Sequence, residues 1–298
     1  MNDRASAIRS RIEATVRRAP QVMVKVTGGG RGMAAIAAHW RYISKNGRLP
    51  IEDDRGVVEQ GKEALKDIER QWRFGGAYID DVGHRREAFN IMLSMPRGTD
   101  PLIVQRAARE FAKVELADHR YVMVLHDHQE NPHVHLSVKA ESRHGVRLNP
   151  RKADLHRWRE TFAERLREWG LDAQASRQAA RGIYRTQEPL WRVKAREEGR
   201  LRTHRPQQKQ GAAVKRSLDE AATAWRWIGM ALANSESRDD QLLARQISEF
   251  VKNPSQIRKV PVPLRKHERP LVRSNEPEAQ YAHTPSLGHS RRGPEIQR

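Results

Sequence analysis

The chain has 298 residues, with 56 Lys plus Arg against 37 Asp plus Glu, a formal charge of +19, and no cysteine. Such a charge favours polyanionic partners, nucleic acid ahead of an anionic membrane surface, because cationic side chains neutralise phosphates and release their counterions. The lack of cysteine excludes disulfides, thiolate zinc sites and cysteine nucleophiles, so a metal must be held by histidine and oxygen. With no secretory leader and no apolar run of membrane-spanning length, the reading is of a soluble, intracellular protein without membrane insertion.

The first 20 residues are a basic, helix-compatible arm. Gln21 to Val26 alternates as a strand does, with Val22, Val24 and Val26 on one face. The glycine run Gly28 to Gly32 leads into a helix on which Met33, Ile36, Trp40 and Ile43 recur at helical spacing, and Asn46-Gly47 stops it. Met33 stands where a dinucleotide-binding loop needs its last glycine, and the Lys-Ser/Thr ending of a P-loop is missing, so a nucleotide site is disfavoured. Charge dominates from Arg48 to Arg70, where the pattern predicts only a helix over 57–72. Glu87 to Met95 predicts a second core strand, with Phe89, Ile91, Leu93 and Met95 on one side and a turn after Ser94. Asp100 as N-cap and Pro101 at the first helical position open a helix with an Ile103, Ala107, Phe111 and Val114 stripe.

Two short strands follow, Tyr121 to His128 and His133 to Lys139, and then a helix opened by Asn149-Pro150, striped by Leu155, Trp158, Phe162, Leu166 and Trp169, and closed by Gly170. This is mixed α/β order with an antiparallel hairpin at its centre. The composition divides the chain into a folded domain over 21–186, a charged linker over 187–212 and a helical hairpin over 213–251. That hairpin carries Val214, Leu218, Ala221, Trp225, Ile228 and Leu232 at helical spacing. Seven of the fifteen prolines fall within 252–298, with little apolar periodicity, as in a basic disordered tail.

The segment RYVMVLHDHQENPHVHLSVKA carries the strongest chemical signal. Strand alternation puts His126 and His128 on one face, and His133, His135, Ser137 and Lys139 on one face of the returning strand. With Gln129 to Pro132 as the turn, His128 opposes His133 and His126 opposes His135, so four imidazoles crowd together. Packing would choose apolar residues there, and protonated imidazoles repel; a divalent cation resolves the conflict. Three imidazole ligands on a rigid hairpin leave coordination positions open for water or a phosphate oxygen.

The block His126-Asp127-His128-Gln129-Glu130-Asn131-Pro132-His133-Val134-His135 resembles the third motif of the MobA/VirD2-like conjugative relaxases, a branch of the HUH endonucleases. In that family a histidine seven positions before a His-x-His pair is the third ligand, which maps onto His126. The pattern departs at His128, where the family usually has aspartate; Asp127 lies one place off, and His128 is the alternative proton acceptor. HWRYISKNG, His39 to Gly47, resembles the first motif and puts the nucleophile at Tyr42, while Phe89 to Asp100 resembles the second and puts a DNA-contacting serine at Ser94. A phenol, with a pKa near 10, needs a base or a metal-created field to attack phosphorus at neutral pH. Tyr78 is the reserve nucleophile; Tyr121 points away from the histidines, Tyr184 sits near the domain end, and Tyr281 lies in the tail. Arg41, Lys45 and Arg97 are candidate phosphate contacts, and Glu87 is read as a solvated carboxylate.

The resemblance covers Val22 to Arg185 and implies an antiparallel sheet with flanking helices and Mg²⁺ or Mn²⁺ as cofactor. It implies nicking of one strand of an origin of transfer, giving a 5′-phosphotyrosyl adduct. Single-stranded and duplex origin DNA, a relaxosome accessory protein and a type IV secretion coupling protein are the implied partners, and the bacterial cytoplasm, with passage into a recipient cell, the implied location. The alternatives are a rolling-circle replication initiator, which usually carries its tyrosine after the His-x-His pair, a hydrolytic metallonuclease, and a noncatalytic basic DNA-binding module.

Overall fold

The computed structural model describes residues 3–182, 195, 198–200 and 211–252. Most of the linker expected over 187–212 and nearly all of the tail expected over 252–298 lie outside the described residues, as do Tyr184 and Tyr281.

Strands β1 (Met23–Gly28), β2 (Ile51–Asp53), β3 (Val58–Glu59), β4 (Ala88–Ser94), β5 (Tyr121–His126) and β6 (His133–Lys139) form one antiparallel sheet in the order β1-β4-β6-β5-β2-β3. Helices α2 (Met33–Ile43) and α3 (Lys62–Phe74) cover one face, and α4 (Pro101–Glu115) and α5 (Lys152–Glu168) the other. On the α4/α5 face, Ile91, Leu93, Tyr121, Met123, Val134, Leu136 and Val138 pack against Val104, Ala107, Phe111, Trp158 and Phe162. On the opposite face, Ala88, Val122 and Val124 meet Met33, Ile36, Trp40, Leu65, Ile68 and Trp72. Alternation along each strand sends one set of apolar residues to each layer.

The anticipated signals act locally as read. Asp100 accepts a hydrogen bond from the Leu102 N–H at 2.8 Å, with Pro101 beside it at the start of α4. The glycine loop permits close approach: a Cβ on Gly29 would stand 2.1 Å from the Ala88 carbonyl, while the Gly30 carbonyl accepts from the N–H groups of Glu87 and Ala88. Two stripe positions are corrected, because Val114 and Trp169 are exposed; Val104, Ala108 and Ala112 complete the buried side of α4 instead. Trp169 lies under the guanidinium of Arg106, 5.1 Å from its ring centroid.

The β2–β3 hairpin replaces the first part of the helix expected over 57–72, and α3 begins only at Lys62. Strands of three and two residues are too short to show alternation, and β2 carries a buried carboxylate, Glu52, within the charged stretch. Its charge is met by Arg109 of α4, with Nε 2.5 Å and Nη2 2.8 Å from the two carboxylate oxygens. Burial, with Asp54 and Glu52 nearby, pushes the Tyr121 phenol up to about 12.

The N-terminal segment forms α1 (Asp3–Val16), and the C-terminal described segment forms α6 (Ala212–Ala233) and α7 (Arg238–Lys252), packed on each other. Arg9 of α1 pairs with Asp240 of α7, and Trp225 of α6 donates its indole N–H to the Ala180 carbonyl at 2.7 Å. The α6 stripe expected at Val214, Leu218, Ala221, Trp225, Ile228 and Leu232 is its half-buried side.

Candidate active site

Three adjacent strands set a row of side chains across the sheet on the α2/α3 face. Ser94 of β4 pairs with His133 of β6, and His133 pairs with His126 of β5. One step along lies the row Met92, His135, Val124. The register differs from the expected one by two residues: His126, not His128, opposes His133, and the connection is 127–132 rather than 129–132. An even slip keeps every side chain on its expected face, which is why the histidines still converge. The longer connection follows from β5 ending at His126, leaving His128 beyond the strand.

The rings of His126, His133 and His135 stand 4.6 to 4.9 Å apart, centroid to centroid. One ligand nitrogen from each lies within 4.8 Å of the other two. The hydrogen bonds select the nitrogens. His126 Nε2 is 2.6 Å from the Ile43 carbonyl, so Nε2 carries the proton, and Nδ1, buried and unpartnered, keeps its lone pair. His133 Nδ1 donates to the Asn131 carbonyl at 2.9 Å, which frees Nε2. His135 also has a buried Nδ1 without a partner. A backbone carbonyl holding the far nitrogen is the usual second contact of a metal-binding imidazole.

Burial favours the neutral rings: it is the leading cause lowering His126 and His133, and it takes His135 down to about 3, helped by its imidazole neighbours. Three neutral imidazoles with fixed orientation and orphaned buried nitrogens fit a divalent cation as donors.

His39 on α2 was not singled out in the sequence as a site residue. Its ring lies edge-on to His135 at 6.3 Å, its Nε2 is buried without a partner, and burial lowers its pKa. The available signal is a histidine in the otherwise apolar run MAAIAAHW, three residues before Tyr42. His128 adjoins the cluster from the connection, 5.1 Å from the His126 ring, with its Nδ1 4.0 Å from Asp127 Oδ1.

Tyr42 lies in the last turn of α2 and is 76% exposed, and the next residue, Ile43, supplies the carbonyl bound by His126. Lys45, Asn46 and Gly47 then all adopt positive φ, 52°, 60° and 82°, ending the helix abruptly beside the histidines. Left-handed backbone at two non-glycine residues carries a strain of about 1–3 kcal/mol each. Gly47 is required there, since a Cβ would meet the backbone of Gly61 at 2.6 Å.

Ser94 is buried at the end of the histidine row, its hydroxyl 3.3 Å from the Pro132 carbonyl, a long contact that ties β4 to the 127–132 connection. Arg97 reaches the same connection: its N–H donates to Asn131 Oδ1 at 2.9 Å, and its exposed guanidinium pairs with Glu130. Arg41 and Lys45 are exposed on either side of Tyr42 and Ile43.

Tyr78 lies near the far end of this sheet face. The carbonyl of neighbouring Ala77 accepts from Lys139 Nζ at 2.9 Å, and Lys139 stands six residues along β6 from His133, a separation of ~20 Å at strand rise. Glu87, just before β4, sits at that same end and is paired with Arg85 and Arg147.

Comparison with curated proteins found no match. Residues 42–171 match the family model described as "Relaxase: MobA/VirD2-like, nuclease domain". The match opens on Tyr42 and runs through Ser94 and the three histidines to Leu171, just past α5. The antiparallel sheet with flanking helices is the architecture that the sequence resemblance implied. Over residues 42–171, then, the chain carries a domain that matches the MobA/VirD2-like relaxase nuclease family.

Proposed function

We propose that the domain cuts one strand of an origin of transfer by transesterification, with Tyr42 as nucleophile, in the mobilisation of a plasmid or other mobile element. The observation that carries this reading is the three-imidazole cluster, in which backbone carbonyls set the tautomers of His126 and His133, one of those carbonyls belonging to the residue after Tyr42.

In the proposed step the Tyr42 oxygen forms a bond to phosphorus as the bond from phosphorus to the 3′ oxygen breaks. The phenolic proton passes to His128, and the departing 3′ oxygen takes a proton from solvent water and leaves as an alcohol. The 5′ phosphate stays on Tyr42. One phosphodiester is exchanged for another, so the reverse attack by a 3′ hydroxyl reseals the strand. A bound Mg²⁺ or Mn²⁺, held by His126, His133 and His135, supplies Lewis-acid polarisation of the phosphate oxygens. His128 is preferred to Asp127 as proton acceptor because its ring lies against His126, whereas the Asp127 carboxylate is 61% exposed.

Arg41, Lys45 and Arg97 are assigned to the phosphates flanking the cut. Ser94, being buried, is assigned to holding the 127–132 connection that carries His128, and reaches the strand through that connection. Origin DNA in single-stranded and duplex form, a relaxosome accessory protein and a type IV secretion coupling protein are the proposed partners. The proposed setting is the bacterial cytoplasm, with transfer of the linked strand into a recipient. No helix among the described residues is long and apolar enough to cross a membrane.

The reading is tested by incubating the full chain with labelled single strands tiled across the origin, with Mn²⁺ or with chelator, and resolving products under denaturing conditions. A DNA–protein band that chelator and His133→Ala both abolish is expected. Cleavage to free ends without that band would mark a hydrolase. DNA binding with no cleavage of any strand would mark a binding module.

A further inference from the structure

A second feature lies on the outer side of the helix that carries Tyr42. Helices α2 and α3 enclose a cavity of about 170 Å³. Its buried side is apolar, made by Ala37, Trp40 and Leu65; its exposed side carries Arg41, Asn46, Lys62 and Lys66, and the half-buried carboxylate of Glu69 also lines it. Arg41 and Lys62 have no ion-pair partner among the described residues, whereas the other two charged lining residues are paired, Lys66 with Glu63 and Glu69 with Arg73. The Trp40 indole N–H is fully buried and has no hydrogen-bond partner. The mouth is shaped by the left-handed turn Lys45 to Gly47, whose last carbonyl accepts from the Gly61 N–H at 3.0 Å, one residue before α3.

We propose that this cavity takes one unpaired nucleotide of the DNA strand, its base against Trp40 and Leu65 and its phosphate between Arg41 and Lys62. An apolar floor with a few polar groups suits a base, and two unneutralised cations at the mouth suit a phosphate. The cavity has room for a single ring system, and a base stacked in a duplex cannot enter it, so the site selects single-stranded DNA. Arg41 adjoins Tyr42 in sequence, so the captured nucleotide would anchor the strand next to the nucleophile. The proposal rests on the reading of this domain as a single-strand nuclease, yet the cavity is separate from the histidine cluster and can be tested without cleavage.

The test is fluorine NMR of the full chain labelled with 5-fluorotryptophan, with the Trp40 signal assigned from Trp40→Phe, during titration with a 12-residue oligo-dT. Binding is followed in parallel by anisotropy. The Trp40 signal is expected to move as the oligonucleotide binds, in Tyr42→Phe as in the wild type, and to stay in place with inorganic phosphate alone. Lys62→Glu, an exposed substitution, is expected to remove the shift and to weaken oligonucleotide binding by about tenfold, with a shallower salt dependence. An unmoved Trp40 signal at saturation would overturn the proposal, as would a Lys62→Glu variant that keeps the shift. Phosphate alone reproducing it would reduce the site to an anion hole without base recognition, which also overturns it. Loss of the covalent band with the Trp40 response intact would instead count against the transesterase reading.

Discussion

His126 Nε2 lies 2.6 Å from the carbonyl oxygen of Ile43, joining β5 to the end of α2 across 83 positions of sequence. One imidazole thus does two things: it offers Nδ1 to the cluster and it holds the helix turn that presents Tyr42. His133, whose Nδ1 is bonded to Asn131 in its own connection, offers Nε2 to the cluster and holds no part of that turn.

This difference separates two otherwise similar variants. His126→Ala should speed amide exchange over 43–49 by about tenfold, the equivalent of one lost hydrogen bond of ~1–1.5 kcal/mol. His133→Ala should leave that segment unchanged while also losing metal affinity. Equal effects on exchange would show that the Ile43 contact does not hold the turn.

The buried imidazoles make the metal-free protein acid-sensitive. In the unfolded chain a histidine takes up its proton near pH 6.5, whereas burial holds His135 down to about 3 in the fold. Between those values the unfolded state binds more protons, so stability falls as pH falls from 6.5 towards 3. Urea unfolding of metal-free protein at pH 7.5 and 4.5 should show this loss, and His135→Leu should lose about 2 kcal/mol less across the interval. An identical loss in the variant would assign the acid sensitivity elsewhere.

Lys139 shares the histidine face of β6 but serves the other end of it. Its buried ammonium donates to the carbonyls of Trp72, Gly75 and Ala77, at 3.3, 3.2 and 2.9 Å, and so closes the C-terminus of α3. Lys139→Met strips the donor from these oxygens and should cost about 2–4 kcal/mol in denaturant unfolding. Metal affinity, measured by calorimetry on the folded variant, should stay within about twofold given the ~20 Å to His133. A loss of affinity without a loss of stability would contradict this structural role.

The Glu52–Arg109 pair predicts a non-additive cycle. Arg109→Leu leaves a buried carboxylate without its partner and should cost about 3–5 kcal/mol, while Glu52→Leu with Arg109→Leu should recover most of that loss. Additive losses would mean that the two side chains act independently of each other.

Much of this was legible in the sequence because it depends on local period. Alternation along 88–94, 121–126 and 133–139 fixes which residues face which layer, and the Asp100-Pro101 pair fixes the start of α4. The hairpin register was not legible, since residue type does not say where β5 stops; the faces survived because the slip was even. The β2–β3 hairpin was missed because a buried Glu52 makes sense only once Arg109, 57 residues away, is beside it. His39 was passed over for a similar reason: α2 brings it to His135 only in three dimensions, and no spacing rule connects them.

The nucleophile is the central claim, and peptide mapping of the covalent product tests it most directly. After reaction with single-stranded origin DNA and trimming by nuclease, trypsin should release Tyr42 to Lys45, since Arg41 and Lys45 bound that segment. We predict a nucleotide 5′ phosphate on this peptide, attached to Tyr42, and no adduct from Tyr42→Phe. A nucleotide on Tyr78 or any other residue, or cleaved DNA bearing free 5′ phosphates with no modified peptide, would contradict it.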